Sequence, residues 1–445
     1  MTQIIQNFFH FKDLGTNIRT ETVAGLTTFM TMAYIIFVNS AMISQTGMDL
    51  GSAMMATCIS SAIATLLMGL WVNYPIALAP GMGENAFFTY TVCLTMGISW
   101  QVALGCVFIQ GILFILLTLT RARQALFDAI PVSLRHGIAC GIGLLITFVG
   151  LIDSGLIVSH PATFVTLGDI LNPATLLALF GLMLTGVLLV KKVRGAILWG
   201  ILITAVMGIP FGVVRYEGLV SLPPSMAPTF MKMDILGAMK LGLVSIVFVF
   251  LFMSVFDTVG TLAGIGEVGG FIKDGRLPRV GKAMFADAVS TCVGAVCGTP
   301  TVTSYIESAS GITAGGRSGF ANVITGLLFV AAIFFYPLIK MIGGGFRTET
   351  DFLLHPVTAP ALILVGCMIM ETVSKIEWKN YEESIPAFMV IIMMPLTFSI
   401  ATAIALGFIS YCALKLLTGK GREVPWFVYL LSGLFILRFI YLKAL

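Results

Sequence analysis

A chain of 445 residues that is 58% hydrophobic and only 10% charged, with a mean hydropathy of +1.01, lacks the composition of a water-soluble domain, which carries about a quarter of its residues charged. Its net charge of +4 sits in short segments between apolar runs rather than in a patch, so no nucleic-acid partner is expected. Four histidines in no ligand spacing and eight cysteines within or at the ends of apolar runs argue against a metal site or a disulfide framework; the cysteines read as small core hydrophobes.

In chain order, MTQIIQNFFHFKDLGTNIRTE is polar and amphipathic, without the compact apolar run and small-residue cleavage site of a secretory signal. Runs of about 20 apolar residues follow at 22–44, 51–71, 75–97, 100–120, 137–158, 172–190, 194–214, 238–264, 281–298, 299–314, 318–341, 357–373, 384–399 and 400–418. A further run covers 425–443, and the sequence leaves open whether it crosses or lies in the interface. With the N-terminus inside, fourteen spans put eighteen Lys and Arg residues on the cytoplasmic side against five outside, the bias that sets topology in polytopic proteins. Lys240, Lys340 and Glu371 fall near span ends, where they would snorkel.

The chain divides into residues 1–214, a polar linker over 215–237, and residues 238–445. Seven is odd, so two seven-span halves run in opposite directions. The third span of each half is short and interrupted: PIALAPGMGENAFFTY and GTPTVTSYIESASG. The fifth span of each opens on a histidine, His136 and His355. Paired interruptions of this kind mark the binding site of inverted-repeat transporters. The expected fold is an all-α polytopic membrane protein of about fourteen segments, with short strands and half-helices in spans 3 and 10.

Backbone polar groups cannot be left unpaired in hydrocarbon, so such a break must face protein or a water-filled cavity. Pro80 removes a donor, and Gly81 and Gly83 permit sharp turns. The segments IALAP and TVTSY would pair as strands. Glu84 to about Gly97 would form a half-helix with free N–H donors near mid-membrane and Asn85 at its cap; a second would begin near Glu307 and Ser308. An acidic residue inside a span is costly and a functional candidate by default. Asp257 in the eighth span and Glu307 at the break of the tenth are the foremost, with Asp287 read as a packing hydrogen bonder. For Glu84 two readings stand: facing the cavity, or behind the site and bonded to backbone.

These motifs carry a resemblance. FKDLGTNIRTETVAGLTTFMTMAYIIFVN, ALAPGMGENAFFTY, FDTVGTLAGI, YIESASGITAGGRSG and MPLTFSIATAIALGFISY together resemble the AzgA-like adenine/guanine/hypoxanthine branch of the nucleobase–cation symporter (nucleobase/ascorbate transporter) family, from about residue 8 to 420. The resemblance implies a core domain of spans 1–4 and 8–11 and a gate domain of spans 5–7 and 12–14. It implies a purine nucleobase bound between them and carried by proton symport across the bacterial cytoplasmic (inner) membrane. No cofactor is implied beyond the proton as coupling ion. Asp257 and Glu307 would hold substrate and proton; Asn85, Gly83, Glu84, Tyr305, Ile306 and Thr28 would complete the substrate site, with Phe87, Phe88, Phe256 and Tyr305 available to stack on a flat base. Three positions depart from the family pattern as it usually stands: Glu84 replaces an apolar residue, Ser254-Val255 replaces Asp-Leu, and Thr402 replaces an acid. If Glu84 faces the cavity, it would read an exocyclic amine of guanine or an adenine N–H.

The rival readings are an anion or sulfate carrier of the same fold, which would want cations at the half-helix ends, a sodium-coupled nucleobase carrier, a channel, and a membrane-embedded enzyme. The enzyme lacks any credible metal cluster, nucleophile–base pair or phosphate loop. Membrane lipid is the surrounding partner. Fold relatives often pair, so a homodimer is among the expectations, although no interface is legible in the sequence.

Overall fold

The computed structural model describes residues 2–120, 131–239, 243–272, 277–348 and 353–441. The loop cations Arg121, Arg123, Lys240, Lys273 and Arg276 lie outside the described residues, as does the side chain of Phe256.

After two short N-terminal helical segments, the chain runs through α1 (Ile18–Met32), α2 (Tyr34–Ser44), α3 (Leu50–Leu67), β1 (Leu78–Pro80), α4 (Met82–Ala86) and α5 (Trp100–Leu119). There follow α6 (Val132–Asp153), the hairpin β2 (Ile157–His160) and β3 (Phe164–Leu167), α7 (Pro173–Val190) and α8 (Ala196–Gly208). The second half holds α9 (Val244–Val268), α10 (Val280–Cys297), β4 (Val302–Ser304), α11 (Ser308–Thr313), α12 (Phe320–Ala332) and α13 (Tyr336–Gly343). It closes with the hairpin β5 (Phe346–Arg347) and β6 (Leu353–Leu354), then α14 (Ala359–Ile369), α15 (Tyr381–Thr397), α16 (Ile400–Leu417) and α17 (Trp426–Tyr441). Among the described residues, eight helices are long and apolar enough to cross a membrane. Two of the expected spans are shorter than the apolar runs suggest: α8 has 13 residues and α14 has 11 before its last turns tighten to a 3-10 helix over Met370–Lys375.

Local chemistry sets several helix starts. The side chains of Asn17, Asp49, Asn172, Asn380 and Ser399 each accept a backbone N–H of the first turn of α1, α3, α7, α15 and α16, satisfying donors that a helix start leaves orphaned. Pro173 at the first position of α7 adds a preset backbone angle where no donor is needed.

Helices of both halves interleave in two groups. In one, α1 and α3 pack on α12, and α3 and α5 on α10. In the other, α6 packs on α14 and α15, α7 on α8 and α14, and α15 on α16. Small residues let backbones meet in each. A Cβ at Gly69 would stand 2.6 Å from the Gly319 carbonyl oxygen, and one at Gly143 would stand 2.8 Å from that of Gly366. All eight cysteines are free, and seven are buried or half-buried; only Cys367 is exposed. Lys340 reaches out of α13 to pair with Glu217 at 2.6 Å.

Candidate functional site

The two interrupted segments meet. β1 and β4 pair antiparallel with Leu78 opposite Ser304, Ala79 opposite Thr303 and Pro80 opposite Val302. Gly81 N–H donates to the Thr301 carbonyl at 2.9 Å and Tyr305 N–H to the Ala77 carbonyl at 3.0 Å, extending the ladder at both ends. Side chains finish the accounting. Thr65 Oγ1 accepts from Leu78 N–H and donates to its carbonyl, Asn322 Nδ2 donates to the Ile76 carbonyl at 2.6 Å, and Ser308 Oγ accepts from Ala77 N–H at 3.0 Å. The tertiary amide of Pro80 stands at the strand end, where its missing donor costs least.

Each strand feeds a helix. α4 starts at Met82 with Gly81 in the cap position, then passes into a π-helical stretch over Phe87–Thr95, so the first half-helix spans Met82–Thr95. Asn85 therefore lies in the first turn and does not cap it; Gly81 has the extended backbone the cap requires. The second half-helix, α11, has six residues with Glu307 at its cap position.

Asp257 on α9 is exposed, with its carboxyl beside the Thr303 side chain on β4. It is close enough to Glu307 for their charges to repel. Glu307 is half-buried, and the Tyr34 hydroxyl donates to its Oε1 at 2.7 Å. Ile306, the residue before Glu307, is 48% exposed. A Cβ at Gly264 would meet only Ile306 Cδ1, at 3.4 Å, and one at Gly260 would meet nothing. The space left open beside Gly260 and Gly264 forms a crevice along α9 next to the two carboxyls.

Other expected residues have different surroundings. Asp287 is fully buried behind β4: its Oδ1 accepts from Thr258 Oγ1 at 2.9 Å and its Oδ2 from Ser304 N–H and Ser304 Oγ, both at 2.8 Å. That carboxylate ties α9, α10 and the strand together. Tyr305 donates its hydroxyl to the Pro80 carbonyl at 2.5 Å, so its ring braces one break against the other. Phe87 and Phe88 are buried in the apolar core, Phe87 edge-on to Phe250 with ring centres 4.8 Å apart, and so are not available as stacking faces. Thr28 is buried against Gly311 and does not line the crevice. Gly83 faces Ile142 of α6, where a Cβ would approach to 3.0 Å.

Glu84 is 3% exposed; its Oε2 folds over Gly81 and its Oε1 has no partner. Asn85 is fully buried with neither amide atom paired. Sequence reasoning missed Tyr34 and Thr31. Thr31 Oγ1 meets Ser310 Oγ at 2.8 Å, and Ser310 Oγ donates to the Glu307 carbonyl at 2.7 Å. The signal was the spacing Thr28, Thr31, Tyr34, which puts three polar groups on one face of the first span.

Strand-paired helix breaks with paired carboxyls at a crevice are the architecture of a membrane carrier, and comparison with known proteins agrees. Residues 19–406 match the model of the Permease family (Xan_ur_permease). The chain is 45% identical to the guanine/hypoxanthine permease PbuG of Bacillus subtilis, over 99% of this chain and 100% of that one. It is 40% identical to the adenine permease AdeP of Escherichia coli, over 99% and 97%. It is also 54% identical to a putative permease, MJ0326, of Methanocaldococcus jannaschii, over 99% of both. Among solved structures, the transmembrane domain of the cyanobacterial bicarbonate transporter BicA superposes with a TM-score of 0.63 at 14% identity, covering 88% of this chain and 97% of that one. SLC26A9 gives 0.62 at 12% identity, covering 94% and 69%. These two share the fold. The chain belongs to the Permease family and is a multi-pass membrane permease, not an enzyme.

Proposed function

We propose that this permease imports purine nucleobases by proton symport across the cytoplasmic membrane. The observation that carries the reading is the pair of carboxyls, Asp257 and Glu307, close to each other beside the paired strands and neither of them fully buried. Relatives named for adenine and for guanine/hypoxanthine, similar along nearly their whole length, support the substrate class. A purine edge offers ring N–H donors that a carboxylate accepts, and ring acceptors that the half-helix N–H groups answer. Two carboxyls this close do not both ionise readily, so one can carry the coupled proton.

Fourteen spans in two inverted repeats, with one helix group moving against the other, are the transport machinery of this reading. The interleaving of both halves into two helix groups, and the antiparallel pairing of their breaks, favour it. A proton-motive force of about 150 mV supplies roughly 3.5 kcal/mol per proton, enough for several-hundred-fold accumulation. The fold neighbours named for bicarbonate and anion transport keep an anion carrier as the second reading; carboxyls at the crevice weigh against it.

The test is uptake of labelled adenine, hypoxanthine, guanine and uracil by cells lacking their own purine permeases, with and without a protonophore, for wild type and Asp257→Asn. Purine accumulation that the protonophore and the substitution both abolish supports the reading. Accumulation that follows sodium instead changes the coupling ion, and uptake of none of the four overturns the substrate.

A further inference from the structure

A second cavity lies away from the crevice. It has a volume of about 420 Å³ and lies between the last turns of α2, the first half-helix and α6 on one side and the start of α14 and end of α15 on the other. Its polar lining is Gln45, Tyr90, Asp153 and His355; Phe398 and Leu353 are among its apolar walls. Tyr90 is eight residues beyond Met82, the start of the half-helix, so the cavity is roughly 10 Å from the paired strands along the axis. In the proposed topology this is the extracellular end.

The site is built rather than incidental. Asp153 is 8% exposed and His355 3% exposed. His355 N–H donates to the Asp153 carbonyl at 2.8 Å, fixing the two relative to each other. The Asp153 carboxyl faces the Gln45 amide, and the His355 ring faces the Gly343 backbone. The remaining ring nitrogen, Nδ1, has no partner. A buried polar atom left unpaired beside a cavity costs stability unless something fills it. Phe398 is held in the left-handed backbone region (φ 49°), and its carbonyl accepts from Thr91 Oγ1 at 2.7 Å, which sets its ring against the cavity wall next to Phe148.

A largely apolar pocket of this size with a few convergent polar groups is the form of a small-molecule site. It offers one carboxylate and one amide oxygen as acceptors, a phenol and an amide as donors, an unpaired imidazole nitrogen and an aromatic face. That set suits a flat, uncharged nitrogen heterocycle with donors and acceptors alternating on its edge. We propose that this cavity is a second, outer binding site for the transported heterocycle, occupied before the base reaches Asp257 and Glu307. The assignment rests on the purine reading above.

The experiment is equilibrium binding of labelled hypoxanthine, adenine and guanine, each alone, to the purified full chain in lipid nanodiscs, with uptake in cells alongside. Wild type should bind the favoured base at two classes of site. Asp257→Asn should lose the inner class and keep the outer. Asp153→Asn and His355→Gln should each weaken the outer class about tenfold, retain one equivalent at the inner class, and raise the KM of uptake. Leu353→Trp, which fills the cavity without touching its polar groups, should remove the outer class as well; retained inner binding shows that each variant is folded. A single class in wild type, lost in Asp257→Asn and unchanged in the other three, overturns the outer site and leaves the purine reading standing. No binding of any of the three bases by wild type overturns both.

Discussion

The two broken spans follow one plan and put it to different use. Both run from a three-residue strand into a helix, and the strands pair with each other. The first break continues for fourteen helical residues, Met82–Thr95, and buries its polar residues, Glu84 and Asn85, away from water. The second continues for only six, and its acid, Glu307, sits at the helix cap, half-buried and held by Tyr34. A shared backbone solution to the unpaired-group problem therefore leaves side-chain chemistry free to differ. We read the second break as the one that presents charge to the substrate and the first as the one that presents backbone and shape.

The largest effect should come from neutralising the acid of the second break. Glu307→Gln keeps the shape and the Tyr34 contact but removes the charge, and should lower uptake kcat/KM at least about a hundredfold, the scale of a lost charge-assisted contact. Purified protein should unfold at the wild-type midpoint. Uptake within a few-fold of wild type would show that the second break does not carry the site.

Next comes the carboxylate behind the strands. Asp287 accepts three hydrogen bonds at 2.8–2.9 Å from Thr258 and Ser304. Asp287→Asn turns an N–H₂ group toward one of those donors and should cost about 2–4 kcal/mol. A lowered unfolding midpoint and less monodisperse protein should account for any fall in uptake. Full stability with selectively lost transport would move Asp287 into the site itself.

A smaller change tests what holds Glu307. Tyr34→Phe deletes only the hydroxyl that donates to Oε1. It should raise the KM of uptake at least about tenfold with little change in unfolding midpoint, one hydrogen bond to a charged group being worth about 1.5–3 kcal/mol. An unchanged KM would make Tyr34 a packing residue.

Much of this architecture was legible because it rests on local signals. Pro80 and the β-branched run TVTS forced extended segments, and the need to pair their backbones dictated that they meet. The start of the second half-helix at 308 followed from the same argument, whereas the first begins at Met82, two residues before the expected Glu84. Side-chain direction was not legible. Asp257 and Asp287 look alike in sequence, each an acid amid small and apolar residues; only the approach of β4 decides that one opens to the crevice and the other is buried. Phe87 and Phe88 had the right chemistry for stacking, but their rings turn to Phe250 and the core. Asn85 had the right chemistry for a cap, but the turn began four residues earlier, at Gly81. The polar face formed by Thr31 and Tyr34 is present in the helical spacing, but only the folded packing of the second break against the first span brings it to Ser310 and Glu307.

The smallest effect, and the sharpest contrast between the breaks, concerns Glu84. Its carboxyl folds back over Gly81, has one oxygen without a partner, and is nearly inaccessible. Although it lies close enough to Asp257 to feel its charge, an acid so buried does not face the crevice, so Glu84→Leu should leave competition by adenine, hypoxanthine and guanine within about twofold of wild type, the range of a substitution away from the ligand. Removing a buried group whose hydrogen-bonding capacity is half unmet should also raise the unfolding midpoint. The opposite outcome, a changed order of preference among the purines, would mean that the first half-helix turns its first-turn side chains to the substrate during transport. The two breaks would then share the chemistry of recognition as well as the backbone plan.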